Sequence, residues 1–194
     1  MPLIRLAAFD GALANFGMAK LIFDTDTEAL SVLDLKLVKT EKSKVKQVRS
    51  SSDDLRRSRE NALAAHDWLK DCVTVFVEVP TGGQDAKATR AFGIITGIYA
   101  SLLREPVEVS PAETKLAAVG TRTASKEEMI EWAVGKFPDA PWLRAKSNGP
   151  KWKKGDLLGD NEHLADAVAI AHAGIKLPVF QQMKAMIAAM PRAA

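Results

Sequence analysis

Two carboxylates stand where apolar runs stop. Leu3 to Phe9 ends abruptly at Asp10, and the short β-branched and aromatic run Val73 to Val77 ends at Glu78. A charge closing a buried strand must be solvated or paired, which makes it a poor choice for stability. The ends of strands are also where open α/β sheets place ligands. Taken singly, either residue is more often a turn residue or cap than a ligand. Near the other end, GDNEHLADAVAIAHAG reads as a helix with His163 and Asp166 three positions apart, on one face. Leu164, Ala167, Val168 and Ile170 supply its packing. An unpaired carboxylate in such a run is costly, so Asp166 needs a partner, whereas a lone His163 is more often a satisfied surface or core histidine. Three carboxylates and an imidazole from distant segments can hold two Mg²⁺ or Mn²⁺ ions, which favour hard oxygen ligands and retained waters. Two ions ~3.5–4 Å apart can activate a water and stabilise the leaving oxygen of a phosphodiester. Asp160 and Glu162, in the same stretch, are rival ligands that spacing does not exclude.

The elements that must position these groups follow from periodicity. Leu3–Phe9, Met18–Phe23 and Ala29–Val38 read as strands joined by turns, the first turn lying in GALANFG, which suggests an antiparallel meander. A helix is expected over Asp53–Lys70, a buried strand over Val73–Val77, and a long small-residue helix from about Gln84 to Leu103. A strand at Val107–Val109 runs into Ser110 and Pro111, an N-cap and first-turn pair. Ser125 and Glu128 form a capping-box pattern for a helix to Phe137. Helices over Asn161–Ala173 and Val179–Met190 close the chain, the last with Phe180, Met183, Ile187 and Met190 on one face. Strands first, then strands alternating with helices, make a mixed sheet with helices packed on it.

The net charge of +3, from 27 basic and 24 acidic residues, conceals an uneven distribution. Nine cations (Lys36, Lys39, Lys42, Lys44, Lys46, Arg49, Arg56, Arg57, Arg59) face three acids between Lys36 and Arg59. PWLRAKSNGPKWKK holds Arg144, Lys146, Lys151, Lys153 and Lys154 with no acid, and reads as an irregular loop. Cations interleaved with Trp142 and Trp152 suit phosphates and unpaired bases; a solvated surface and a Trp-anchored loop explain the same residues. The 194 residues, 47% hydrophobic and 26% charged, fit one folded domain. One cysteine, Cys72, allows no intrachain disulfide and fits a reducing cytoplasm. No apolar stretch reaches the ~20 residues of a membrane span, and Asp10 interrupts any signal-peptide core.

The order of these motifs resembles the RuvC family of Holliday-junction resolvases, and particularly the RuvC-like proteins of phages. FDGALANFGMA is similar to the family's first strand, catalytic Asp and Gly-aromatic turn. VFVEVPTGGQDAKATRAFGIITG is similar to its strand, catalytic Glu and dimer-forming helix. VEVSPAETKLAAVGTRTASKEEM looks like its next strand and DNA-contact segment, and HLADAVAIAHA like its last catalytic helix. The resemblance implies an RNase H-like α/β fold, a mixed five-stranded sheet flanked by helices. It would span residues 1–175, with 176–194 a C-terminal helix packed on or extending the same domain. It implies Asp10, Glu78, His163 and Asp166 as catalytic metal ligands, Mg²⁺ as cofactor with Mn²⁺ substituting, and Lys115 and Lys126 as DNA contacts. The implied activity is a crossover junction endodeoxyribonuclease making paired nicks in four-way DNA, in recombination and repair. The implied form is a homodimer in the cytoplasm of a bacterium or phage-infected host, with no membrane partner.

One departure concerns the loop after the catalytic Glu, which in the family carries an aromatic residue that stacks on opened bases. Here it reads PTGGQDA, with Thr81 near that position. A less selective nuclease for flaps, forks or hybrids, and a non-catalytic junction-binding protein, are the alternatives. Metal-activated water is the expected nucleophile, since no Ser, Cys or Tyr is placed to serve. Tyr99, in an apolar helix, reads as packing. The small residues Ala88, Ala91, Gly93, Gly97, Ala100 and Ser101 permit either close packing on the sheet or a helix–helix dimer contact. A metal-bound His163 must be neutral, so activity should fall as pH drops through its pKa, ~6.5 if unperturbed.

Overall fold

In the computed structural model, which describes residues 3–80, 82 and 85–189, β1 (Leu3–Asp10) is the central strand. Its run Leu6–Phe9 is apolar without alternation because both faces are covered. β2 (Asn15–Asp24) pairs antiparallel with β1, and β3 (Leu30–Lys39) antiparallel with β2. On the other side β4 (Thr74–Val77) runs parallel to β1, and β5 (Pro106–Glu108) parallel to β4. The sheet order is therefore β3-β2-β1-β4-β5, a mixed five-stranded sheet.

Alternate residues of β1 feed two cores. Ala7 and Phe9, with Phe16, Met18, Val75 and Val77, meet α1 (Ser50–Trp68) and α2 (Ala86–Ala100). Leu6 and Ala8, with Ala19, Leu21, Phe23 and Phe76, meet α5 (Asn161–Gly174). α3 (Pro111–Val119) and α4 (Lys126–Lys136) pack against α5, and each opens with a complete capping box, at Ser110/Glu113 and Ser125/Glu128. The alanines of α5 let it lie close to the sheet. At its end, a Cβ on Gly174 would fall 2.2 Å from the Phe76 ring. α6 (Pro178–Ala189) sends Phe180 into the same core, edge-on to Phe23 at 5.3 Å and to Phe76 at 5.4 Å. Met190 lies outside the described residues. Among the described residues no helix is long and apolar enough to cross a membrane.

Several boundaries move from expectation. β2 begins at Asn15, because Asn15 pairs with Lys39 and Gly17 with Asp10, so only the first residues of GALANFG turn. α2 ends at Ala100, where the Ser101 N–H reaches back to Gly97 and Ile98; Gln84 lies outside the described residues. The expected irregular loop is a short hairpin. Ala145 N–H donates to Asp156 O at 2.8 Å, Gly155 N–H to Ala145 O at 2.9 Å and Leu158 N–H to Leu143 O at 3.0 Å. Trp142 does not stand among the charges. It is buried, with its Nε1–H donating to Phe137 O at 2.8 Å, so it anchors the hairpin and is unavailable to bases.

The basic run of residues 36–59 is also divided. Arg57 is buried against Asp54 and Thr40, and Arg56 pairs with Asp53 at 2.9 Å. Lys36 lies over the Trp68 ring, and Lys39 pairs with Asp160 at 2.8 Å. Four of the nine cations are therefore engaged within the fold, while Lys42, Lys44, Lys46, Arg49 and Arg59 stay exposed.

Phe180→Ala removes a fully buried ring from between Phe23 and Phe76 and should cost about 3–5 kcal/mol. Urea denaturation measures it, and a loss below about 1 kcal/mol would mean that α6 is not part of this core.

Candidate active site

The register of the two central parallel strands builds the site. Phe9 on β1 lies opposite Val77 on β4, so the next residues, Asp10 and Glu78, emerge side by side where the strands end. Paired strands are ~4.8 Å apart, close enough for the two carboxylates to sense each other. β2 leads the third component in. Its Gly17 pairs with Asp10, and a Cβ at Gly17 would fall 2.3 Å from the carbonyl oxygen of His163. Glycine there lets the first turns of α5 close onto the sheet. His163 Nδ1 then lies 2.8 Å from Asp10 Oδ2, and Asp166, three residues on, turns the same way.

Gly11 makes the second close approach. A Cβ on it would meet the Tyr99 hydroxyl at 2.1 Å. Tyr99 is buried, and its hydroxyl donates to Phe9 O at 3.4 Å. It packs as expected, but directly beneath the turn that carries Asp10. Burial, reinforced by the charges of Asp10 and Glu78, holds its phenol well above the ordinary value, so it stays protonated.

Charge is under-compensated here. Burial, then the charge of Asp10, pushes Glu78 up to about 7, opposed by Thr114 and Lys115. The Thr114 hydroxyl reaches Glu78 Oε2 only at 3.5 Å, a long contact. Asp166 is likewise raised to about 7, by burial first and then by Asp10, Glu162 and Glu78. His163 is raised by its hydrogen bond to Asp10, against the effect of burial. Half-buried carboxylates that repel one another form a site suited to a cation.

The donor set, three carboxylates and one imidazole, suits a hard divalent ion such as Mg²⁺ or Mn²⁺. Among the described residues no three such side chains stand at ligating distance around one point. Asp10 and His163 are bonded to each other, so enclosing an ion requires these side chains to turn.

Both rival ligands are held by lysines. Asp160 pairs with Lys39, and Glu162, close enough to raise Asp166, pairs with Lys126 at 2.5 Å. Of the expected DNA contacts, Lys115 on α3 lies beside Glu78 and Lys126 at the start of α4 lies beside Glu162 and Asp166. Arg144, Lys146, Lys151, Lys153 and Lys154 are exposed along the hairpin and pair with none of the four groups.

One residue that the motif reading passed over holds the two parts together. Asn161, fully buried, accepts from Leu143 N–H at 2.8 Å and donates to the carbonyls of Leu143 and Leu158 at 2.8 and 2.9 Å. It clamps the base of the hairpin to the start of the helix that carries His163. Its only sequence signal is its place ahead of that helix.

By sequence the chain matches no protein-family model and no curated protein. By structure it matches the RuvC protein of Thermus thermophilus in complex with Holliday junction substrate, with a TM-score of 0.59 at 20% identity over 88% of this chain and 92% of that one. Thermus thermophilus RuvC described without substrate matches with a TM-score of 0.54, again at 20% identity, over 88% of this chain and 92% of that one. The fowlpox virus resolvase in complex with Holliday junction DNA matches with a TM-score of 0.51 at 12% identity, over 93% of this chain and 99% of that one. The mixed five-stranded sheet flanked by helices is the RNase H-like fold of these resolvases.

Glu78 and Asp166 bind a proton more tightly in the folded chain than in the unfolded one. Their contribution to stability is present below the ordinary carboxylate pKa of ~4 and is lost as pH rises towards about 7. His163, also raised, acts in the same direction at higher pH. The metal-free protein should therefore melt at a lower temperature at pH 8 than at pH 5.5. Asp166→Asn should restore on the order of 2 kcal/mol at pH 8, and Mg²⁺ should raise the melting temperature more at pH 8 than at pH 5.5. Melting curves that stay flat or rise over this range would contradict the charge balance described.

Proposed function

We propose that the protein is a divalent-metal-dependent endonuclease that cuts branched DNA, four-way junctions first, with a homodimer making paired nicks. The observation that carries this reading is the convergence of Asp10, Glu78, Asp166 and His163 at one end of a resolvase-type sheet. The solved proteins it resembles include complexes with Holliday junction DNA.

Asp10, Glu78 and Asp166 would hold the ions, and His163 would either join them or orient Asp10 through its Nδ1. Bound Mg²⁺ or Mn²⁺ supplies an activated water and charge stabilisation at the leaving oxygen. The carboxylates must be ionised to serve, so acid pH disables them. Lys115 and Lys126 bring positive charge to the same rim, where a phosphodiester would lie. A surface used only to bind phosphate has no use for three clustered carboxylates, which disfavours a non-catalytic role. The absence of an aromatic residue in Val79–Asp85 favours a second reading, a nuclease less selective among branched substrates; Thr81 itself lies outside the described residues.

The small-residue stripe of α2 supports the dimer. Gly93 and Gly97 are exposed and a Cβ on either would meet nothing within 4 Å, so close packing on the sheet does not explain them. Beside them runs a groove between α1 and α2 lined by Leu55, Ala62, Ile94 and Ile98. Leu55 and Leu63 stand 69% and 53% exposed, an apolar face that a second copy would cover.

Two outcomes are expected. Asp10→Asn should cut a mobile four-way junction about a thousandfold more slowly with Mn²⁺ while still binding it, since several kcal/mol of charge stabilisation are lost. Normal cutting by this variant would refute the role of Asp10. Light scattering should give a dimer for the natural chain and a monomer for Leu55→Glu/Leu63→Glu. A monomer for both would remove the paired-nick mechanism.

A further inference from the structure

The hairpin of residues 143–158 has a tip unlike the rest of the surface. Among the described residues Trp152 is the only exposed aromatic side chain, at 45%. Its indole closes on the turn at Gly149, where a Cβ would fall 2.5 Å from the ring, and Gly149 N–H donates to Trp152 O at 2.8 Å. The glycine thus lets one side of the ring rest on backbone while the rest meets solvent.

Around it Lys146, Lys151, Lys153 and Lys154 are exposed and make no ion pair among the described residues. The neighbouring acid, Asp156, is engaged by backbone, its Oδ2 accepting from Lys153 N–H at 2.7 Å. Asn148 Oδ1 accepts from Lys154 N–H at 2.8 Å, and Arg144 Nη1 donates to Gly155 O at 3.0 Å. The tip is therefore built and held, not a loose lysine-rich tail. Burying an indole is worth far more than exposing it unless the ring has another use.

We propose that this hairpin is a second DNA-contacting element and that Trp152 stacks on an unpaired base at the branch, with its lysines on the flanking phosphates. The proposal rests on the nuclease reading above. Aromatic rings set among cations are how single-stranded bases are held without regard to sequence. The Asn161 clamp ties the hairpin base to α5, two residues before His163, so the hairpin is rooted beside the helix that carries the site. The six residue-to-residue steps from Leu143 to Gly149 reach at most about 20 Å, roughly six nucleotide steps of about 3.4 Å along a strand. The ring can therefore hold the branch open while the neighbouring strand lies at the carboxylates. It supplies the aromatic contact that Val79–Asp85 lacks.

The test is equilibrium binding of a four-way junction carrying 2-aminopurine at the branch nucleotides, beside a duplex of equal length, in Ca²⁺ to prevent cutting. Trp152→Ala should leave the melting temperature unchanged and weaken junction binding about tenfold, the order expected for one stacked base. It should abolish the 2-aminopurine change and alter duplex binding less than twofold. Trp152→Phe should recover most of both junction signals. Lys151→Ala/Lys153→Ala/Lys154→Ala should instead flatten the dependence on log salt by about 3 and keep the 2-aminopurine change. Natural-strength junction binding by Trp152→Ala, or equal losses on junction and duplex, would overturn the stacking role and leave the nuclease reading intact. Failure of the natural protein to bind any junction would overturn both.

Discussion

Everything at the site hangs on the parallel pairing of β1 with β4. Because Phe9 lies opposite Val77, Asp10 and Glu78 must emerge as neighbours; a shift of one residue would turn one of them into the opposite face of the sheet. The second half of the constraint is the approach of α5. Two glycines permit it at opposite ends, Gly17 beneath the His163 carbonyl and Gly174 beneath the Phe76 ring. With small residues at both points the helix lies close along the sheet, and His163 reaches the end of β1, 153 positions away in sequence. Packing against Phe180, Phe23 and Phe76 holds that approach from below.

The cost of this arrangement is electrostatic. Glu78 and Asp166 are drawn into a half-buried space already occupied by Asp10, and each is pushed to about 7. In the metal-free chain the only hydrogen-bonded partner of Asp10 among the four groups is His163, which keeps part of the charge balanced while holding Asp10 in place. The fold thus tolerates a site that weakens it, a pattern expected where a ligand supplies the missing charge. The surroundings compensate locally. Lys126 covers Glu162 and Lys39 covers Asp160, which leaves Asp10, Glu78 and Asp166 as the carboxylates without a full lysine partner.

Much of this was legible in the chain. Asp10 and Glu78 were marked by apolar runs that stop at a charge, and His163 with Asp166 by helical spacing. Both capping boxes were readable because Ser, Pro and Glu occupy fixed offsets. What was not legible depended on contacts far apart in sequence. Glycine signals a turn, so the sequence places Gly17 in one; the ladder with β1 and β3 makes it a strand residue with a packing duty. The cations of residues 36–59 looked like one surface because sequence does not reveal that Arg57 turns inward to Asp54 and Thr40. Trp142 and Trp152 lie in the same basic stretch, yet one is an anchor and the other is exposed. Only the backbone ladder of the hairpin and the Asn161 clamp distinguish them.

The measurement that bears most directly on the central claim is anomalous scattering from crystals grown with Mn²⁺ near pH 8, where Glu78 and Asp166 are ionised. Manganese peaks bounded by Asp10, Glu78 and Asp166, with His163 released from Asp10 or ligating, are the predicted result. Manganese bound elsewhere on the chain, or the Asp10–His163 hydrogen bond intact with no ion between the carboxylates, would contradict it.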